Sequence, residues 1–252
     1  MQRINEILDA QIIERHKLQK KRDYLGVSSI GDDCLRKVQL QYEGKEAEFS
    51  ASTLRTFDIG HRLEDLVAEW LKIAGFDLRT QNENGEQFGF STAEGRIKGH
   101  VDGKIVDVSE GLKQFFPRFP LLWENKTLNN KSWQETAKKG LMLTKPIYYA
   151  QVQLYMAYLE LDQCLFTALN KDSSELYFEL IPFDSEAAQR YSDRAVQIIK
   201  ASENNEQMPC ISADPSFFKC KMCAFRNVDK TLRDEAFPCL SKGGIFYEKS
   251  IK

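Results

Sequence analysis

The chain has 252 residues, 42% of them hydrophobic and 29% charged, with a formal net charge of −2. That is enough for one sizeable α/β domain with a small appendage, and any nucleic-acid contact must rest on local basic patches rather than on global charge. No apolar run approaches the roughly 20 residues of a membrane span and no signal-peptide pattern opens the chain, so the expected location is the cytoplasm, without membrane contact.

Residues 4–22 read as an amphipathic helix that turns basic at its end, with Lys17, Lys20, Lys21 and Arg22. VSSIGDDCLRKVQLQY then offers Ser, Asp and Gly punctuation before a second short helix, with Cys34 near its start. A third helix is expected from about Ser52 to Ala74, stopping at Gly75. From Phe76 to Thr127 the pattern shifts to short alternating segments with Asn-Gly and Pro punctuation, which suits antiparallel strands. A long helix over about Ile147–Leu161, strands near 163–170 and 175–182, and a helix over about Ser185–Ala201 complete the core. The tail from Met208 carries Pro, Cys and aromatics without periodicity and reads as a small knob held by cross-links. The expected organisation is an N-terminal helical segment (1–50), a core (51–205) and a Cys-rich C-terminal segment (206–252).

In FPLLWENKTL, strand alternation puts Leu122, Glu124 and Lys126 on one face and Trp123, Asn125 and Thr127 on the other. Two charges on one face of an apolar strand are costly against a core and sensible at a cleft; alone, the pair also fits an edge ion pair. Asp102, in RIKGHVDGKIVDV, stands between Gly99 and Gly103. Asp102-Gly103 is either a hairpin turn or a place where glycines let a ligand approach the backbone.

On the third helix, Ile59, Leu63, Leu66, Val67, Trp70, Leu71 and Ala74 form one apolar stripe at 100° per residue. Glu64 falls at its margin, whereas His61 and Asp65 fall farther toward solvent, so Glu64 is the preferred acid and His61 a secondary candidate. In YYAQVQLYMAYL, Gln151 and Tyr155 lie four apart inside an apolar stripe, where a Gln requires a polar partner: an internal hydrogen bond or a functional site.

The order Glu64, GHVDG with Asp102, WENKT with Glu124 and Lys126, then Gln151-x-x-x-Tyr155 resembles the PD-(D/E)XK nuclease superfamily. It is most similar to the RecB-like exonuclease branch, which includes CRISPR-associated RecB-like nucleases and many phage proteins. The resemblance covers roughly residues 28–240. It implies a restriction-endonuclease-like α/β fold, with a central mixed β-sheet flanked by helices and a small Cys-rich C-terminal knob that binds a metal or cluster. It also implies a Mg2+- or Mn2+-dependent deoxyribonuclease, an exonuclease in the first instance. Glu64, Asp102, Glu124 and the Asn125 backbone carbonyl would hold the metal, with His61 secondary, and Lys126, Gln151 and Tyr155 would serve catalysis. One departure is Val101 where the superfamily often has a proline.

Cys220 and Cys223 form a C-x-x-C, a spacing that suits a shared metal or two buried thiols. By the same resemblance, Cys34, Cys220, Cys223 and Cys239 would hold a [4Fe-4S] cluster, with Cys210 as substitute and zinc as the alternative. The family's third C-terminal cysteine falls nearer Val228 and Asp229, so Cys239 must reach from farther away. Cys164, on an expected strand, reads as core.

The expected partner is DNA, single-stranded or at its ends, with protein partners in a recombination, phage or CRISPR-adaptation pathway. Lys131, Lys138, Lys139 and Lys145 form a second basic patch, and Trp133, Tyr148 and Tyr149 offer rings for stacking. Competing readings are a non-catalytic DNA-binding or assembly module on the same fold, and a DNA endonuclease.

Overall fold

A computed structural model describes residues 2–214 and 216–226. Helix α1 (Gln2–Lys17) is followed by strand β1 (Leu25–Gly26), short helix α2 (Val27–Ile30), α3 (Leu35–Tyr42) and the long α4 (Ala51–Ile73). Strands β2 (Phe76–Arg79), β3 (Gly89–Thr92), β4 (Ile97–His100) and β5 (Gly103–Val108) come next, then helix α5 (Glu110–Lys113) and strand β6 (Leu121–Leu128). Helices α6 (Asn130–Lys139), α7 (Leu141–Thr144) and α8 (Pro146–Leu159) lead to β7 (Gln163–Asn170), β8 (Leu176–Pro182), α9 (Ser185–Glu203) and α10 (Phe218–Lys221).

The main sheet runs β2-β5-β6-β7-β8, with β6 and β7 parallel and the other neighbours antiparallel. This is a central mixed sheet flanked by helices, as expected. The antiparallel run expected over 76–127 divides, however, between two sheets. Strands β3 and β4 leave the main sheet and, with β1 parallel to β4, form a three-stranded sheet in the order β1-β4-β3. A turn with left-handed backbone at Ala93, Glu94 and Gly95 closes β3 onto β4.

Side-chain alternation on β6 sorts the interior into two layers. Leu122 belongs to the apolar cluster that also holds Val152, Tyr155 and Met156 of α8, whereas Trp123 belongs to the cluster with Val67, Ala68 and Leu71 of α4. Helix α8 starts with proline at its first turn and is buried at every residue from Ala150 to Met156, which is why its apolar residues show so little sidedness. Gly31 allows α2 to seat against it: a Cβ there would lie 2.6 Å from Ala150 Cβ and 2.7 Å from Ile147 Cα.

Three expectations change. Helix α1 buries none of its residues and ends at Lys17 rather than at 22, so nothing rewards extending it through Lys20, Lys21 and Arg22. On α4, Val67, Ala68 and Leu71 are buried, but Ile59 is 51% and Trp70 37% exposed. The first half of α4 is engaged instead by α1, through the ion pairs Asp9–Arg55 and Arg15–Asp58. Helix α6 has no counterpart among the elements expected from the sequence because only Thr136 of its residues is buried; it is set by the Asn129 side chain, which accepts from Ser132 N–H.

The chain beyond α9 is tied back to α3. Gln39, fully buried, donates to Glu206 O at 2.6 Å and accepts from Met208 N–H at 2.8 Å. Of the Cys-rich knob, residues from 227 onward, including Cys239, lie outside the described residues.

Candidate functional site

Asp102 sits where the chain passes from the small sheet to the main one, between β4 and β5. It is therefore not a hairpin turn. Nor do its flanking glycines make room for a ligand: a Cβ on Gly99 would meet Tyr155 and Phe90 at 2.6 and 2.7 Å, and one on Gly103 would meet Leu78 and Arg79 O at 2.8 and 2.9 Å. Both are packing glycines. The pairing of β5 with β6 begins at Gly103 opposite Trp123, so β6 runs on past the start of its neighbour. Asp102 Oδ2 takes up the slack, accepting the Asn125 N–H at 2.8 Å. The Asn125 side chain points to the opposite face, where Thr167 bonds its Oδ1 at 2.8 Å.

Glu124 and Lys126 share the face of β6 toward α8, as the alternation predicted. Glu124 is fully buried, and its Oε1 is paired with the Lys126 ammonium and accepts from Gln151 Nε2 at 2.7 Å. Gln151 also donates to the Tyr155 hydroxyl at 3.0 Å. The polar partner that Gln151 requires inside α8 is thus Glu124. Lys126 Nζ lies 5.3 Å from the centre of the Tyr148 ring. Glu124 Oε2 is buried and has no hydrogen-bond partner.

Glu64 is three, four and seven residues before Val67, Ala68 and Leu71, so it lies on the buried stripe of α4 rather than at its margin. Half-buried, it faces the same centre: its carboxyl is pushed up to about 7, first by burial and then by the charge of Asp102. Glu124 is pushed up to about 8 by burial and by Asp102, and Asp102 is raised by burial despite Lys126, the Asn125 amide and His61. Burial alone would lower the Lys126 ammonium, but Glu124 and Asp102 outweigh it and raise it. His61 is exposed, one turn before Glu64, and within electrostatic reach of Asp102. Three acids thus lie within electrostatic reach of one lysine, which gives the centre excess negative charge when all are ionised.

Among the described residues no three His, Cys, Asp or Glu side chains converge closely enough to enclose a metal ion. The carboxylate centre nevertheless fits a hard divalent cation: its donors are oxygens, and the buried Glu124 Oε2 has no hydrogen-bond partner of its own.

Cys34, Cys210, Cys220 and Cys223 line one cavity of about 410 Å³ between the start of α3, the loop before α8 and α10. None forms a disulfide, and burial raises the Cys34 thiol, with Asp32 and Cys223 adding to the effect. Cys164 is buried on β7, in the core. Of the other sequence candidates, Trp133 donates to Ala168 O and Tyr149 to Asp184, so both are engaged within the fold. Lys17, Lys21 and Lys139 pair with Glu14, Glu46 and Glu135.

No protein-family model matches the sequence, and no curated protein matches it. Solved structures do resemble it. The protein SSO0001 aligns at 19% identity and a TM-score of 0.50, over 88% of this chain and 94% of that one. The alkaline exonuclease LHK-Exo of Laribacter hongkongensis aligns at 16% identity and a TM-score of 0.52, over 78% and 93%. The same exonuclease in complex with dAMP aligns at 17% identity and a TM-score of 0.53, over 79% and 93%. At these identities the likeness is one of fold.

Proposed function

We propose that this protein is a metal-dependent deoxyribonuclease of the PD-(D/E)XK type, an exonuclease of the RecB-like branch, with its active centre at Glu64, Asp102, Glu124 and Lys126. The observation that carries the reading is the buried, unpartnered Glu124 Oε2 in a centre of three acids and one lysine. The shared fold of an alkaline exonuclease that was also solved with dAMP supports it.

Asp102, Glu124, Glu64 and the Asn125 carbonyl would hold Mg2+ or Mn2+, with His61 at its edge. The ion would neutralise charge on the scissile phosphate and make a water acidic enough to attack at neutral pH. Lys126, held cationic by Glu124 and Asp102, stabilises the negative charge that develops on the phosphate and orients the attacking water. Gln151 fixes the Glu124 carboxylate, and Tyr155 fixes Gln151. Asp102 accepts the Asn125 N–H and so braces β6 where it runs beyond its pairing with β5, between Glu124 and Lys126.

Labelled single- and double-stranded DNA, each linear or circular, incubated with Mg2+, Mn2+ or EDTA, tests this reading. Metal-dependent loss of linear substrate with circles spared is the expected result. Nicked or linearised circles would instead favour an endonuclease, and binding without cleavage a non-catalytic module.

For the cysteines we propose a [4Fe-4S] cluster on Cys34, Cys220, Cys223 and Cys239, with Cys210 as substitute and zinc as the alternative metal. The shared cavity supports this, although no three of the described cysteines converge into a ligand set. Absorbance near ~400 nm with iron in the purified protein is expected of a cluster. Colourless protein that carries zinc reverses the choice of metal.

A further inference from the structure

The two edges of the main sheet are built differently. Strand β2 is short, carries the charges of Asp77 and Arg79, and is irregular between Asp77 and Leu78, features that discourage pairing with another strand. Strand β8, LYFELIP, pairs with β7 in unbroken register from Leu176 to Pro182 and carries one charge, Glu179. Asn170 N–H donates to Glu175 O, and Phe183 N–H to Asp162 O. By alternation Tyr177, Glu179 and Ile181 also bond β7, and the N–H and C=O groups of Leu176, Phe178 and Leu180 point away from the sheet. Among the described residues no strand pairs with that edge. Pro182, next in the row, has no N–H, and its carbonyl accepts from Gln153 Nε2 at 3.0 Å.

Both faces beside the open edge are apolar. Leu176, Phe178 and Leu180 share the face toward α4, but α4 packs over β2 and β6, and Phe178 is left 49% exposed. On the other face, Glu179 Oε2 accepts from Leu141 N–H at 2.8 Å and from the Tyr177 hydroxyl at 2.9 Å. That holds α7 beside the strand, and the next two residues of α7, Met142 and Leu143, are exposed. The partner that fits is the same edge of a second copy. With Phe178 opposite its own counterpart in antiparallel pairing, Leu176 falls opposite Leu180 of the second copy, and each outward N–H meets an outward C=O. Glu179 falls opposite Tyr177 of the second copy, so no like charges face each other.

We propose that the protein forms a two-fold dimer through β8, centred on Phe178, which joins the two main sheets into one. The registers then run Glu124–Phe166–Glu179 in one copy and Tyr177–Ala168–Lys126 in the other. A two-fold axis perpendicular to the sheet preserves its faces. The two carboxylate–lysine centres therefore lie on the same face of the joined sheet, five strand spacings or ~24 Å apart. The proposal stands independently of the nuclease reading.

Sedimentation of the full chain over a range of concentrations tests it. The wild type should dimerise reversibly. Phe178→Lys and Phe178→Glu, each checked by circular dichroism, should each raise the dimer Kd by ~10-fold or more, as expected at the centre of an interface. An equimolar mixture of the two should recover the dimer, because lysine then faces glutamate. Val196→Lys, at an exposed apolar residue of α9, should dimerise as wild type. Hydrogen exchange in the wild type needs no variant: the amides of Leu176, Phe178 and Leu180 should be protected in the dimer and exchange faster on dilution. A monomeric wild type would overturn the proposal and leave the edge to an extended peptide of another protein. Dimers that persist in both Phe178 variants, a mixture that stays monomeric, or exchange unchanged by dilution would also overturn it.

Discussion

Gln151 on α8 donates its amide N–H to Glu124 Oε1 on β6 at 2.7 Å, and the same nitrogen bonds the Tyr155 hydroxyl one turn along at 3.0 Å. A glutamine in a helix buried on all sides is costly unless its amide is matched, and a carboxylate acceptor is a strong match. The bond also holds Glu124 in one orientation, with Oε1 toward Lys126 and Oε2 left unpartnered. Gln151→Leu should therefore lower kcat by ~10- to 100-fold with little change in KM. It should also cost about 1–3 kcal/mol of stability, because Glu124 is deprived of a donor in the interior. Wild-type kcat with only the stability loss would make Gln151 a purely structural residue.

The three carboxyls at the centre predict stabilisation by divalent cations, which would take the place of their protons. An ion that binds only the folded chain adds about 2.7 kcal/mol at a hundredfold excess over Kd. Mg2+ or Mn2+ should raise the Tm of the wild type, and Glu124→Gln should lose most of that increment. An equal Tm shift in both proteins would remove Glu124 from the ligand set.

Gly31 predicts a packing effect. Its φ is an ordinary −77°, so backbone freedom is not the reason for glycine there. The reason is close approach, since an added Cβ would strike Ala150 Cβ and the Ile147 backbone. Gly31→Ala should cost about 1–3 kcal/mol in urea unfolding. Adding Ala150→Gly should recover only part of that loss, since the clash with Ile147 remains. Full recovery would show that the backbone of Ile147 yields.

Asp184 predicts an acid-side dependence. It caps α9, accepting from Ala187 N–H at 2.9 Å, and also accepts from the Tyr149 hydroxyl at 3.1 Å. The Ala187 amide first, and then Tyr149, hold its carboxyl below the ordinary 3.8. The folded state therefore favours the ionised form, so the stabilisation is complete above 3.8 and disappears as pH falls through the lower folded value. Asp184→Ala should cost about 1 kcal/mol at neutral pH. The gap from wild type should narrow in acid, whereas a gap independent of pH would show that ionisation of Asp184 contributes nothing.

Much of the centre is legible in the sequence because period-two alternation is strict within a strand. Placing Glu124 and Lys126 on one face requires only WENKT on a strand, and the structure puts both toward α8. Gln151 is legible as a polar residue in an apolar stripe, though its partner is not. Asp102 stays undecided because Asp-Gly serves turns and strand entries alike; the division into two sheets, which decides it, depends on pairing between distant strands. Helix α6 leaves no apolar pattern because it buries a single threonine. Ile59 and Trp70 are misplaced because the buried face of α4 around Val67, Ala68 and Leu71 is narrower than the apolar stripe of the helical wheel.

The central claim is that Asp102 and Lys126 act in phosphodiester cleavage rather than only bracing β6. The direct measurement is the rate of Mg2+-dependent degradation of labelled linear DNA by purified wild type, Asp102→Ala and Lys126→Ala, each checked by circular dichroism. Folded variants with rates lowered by at least ~10²-fold are expected, the scale for removing a charge-stabilising group from a buried centre. Folded variants that degrade DNA at the wild-type rate would contradict the claim.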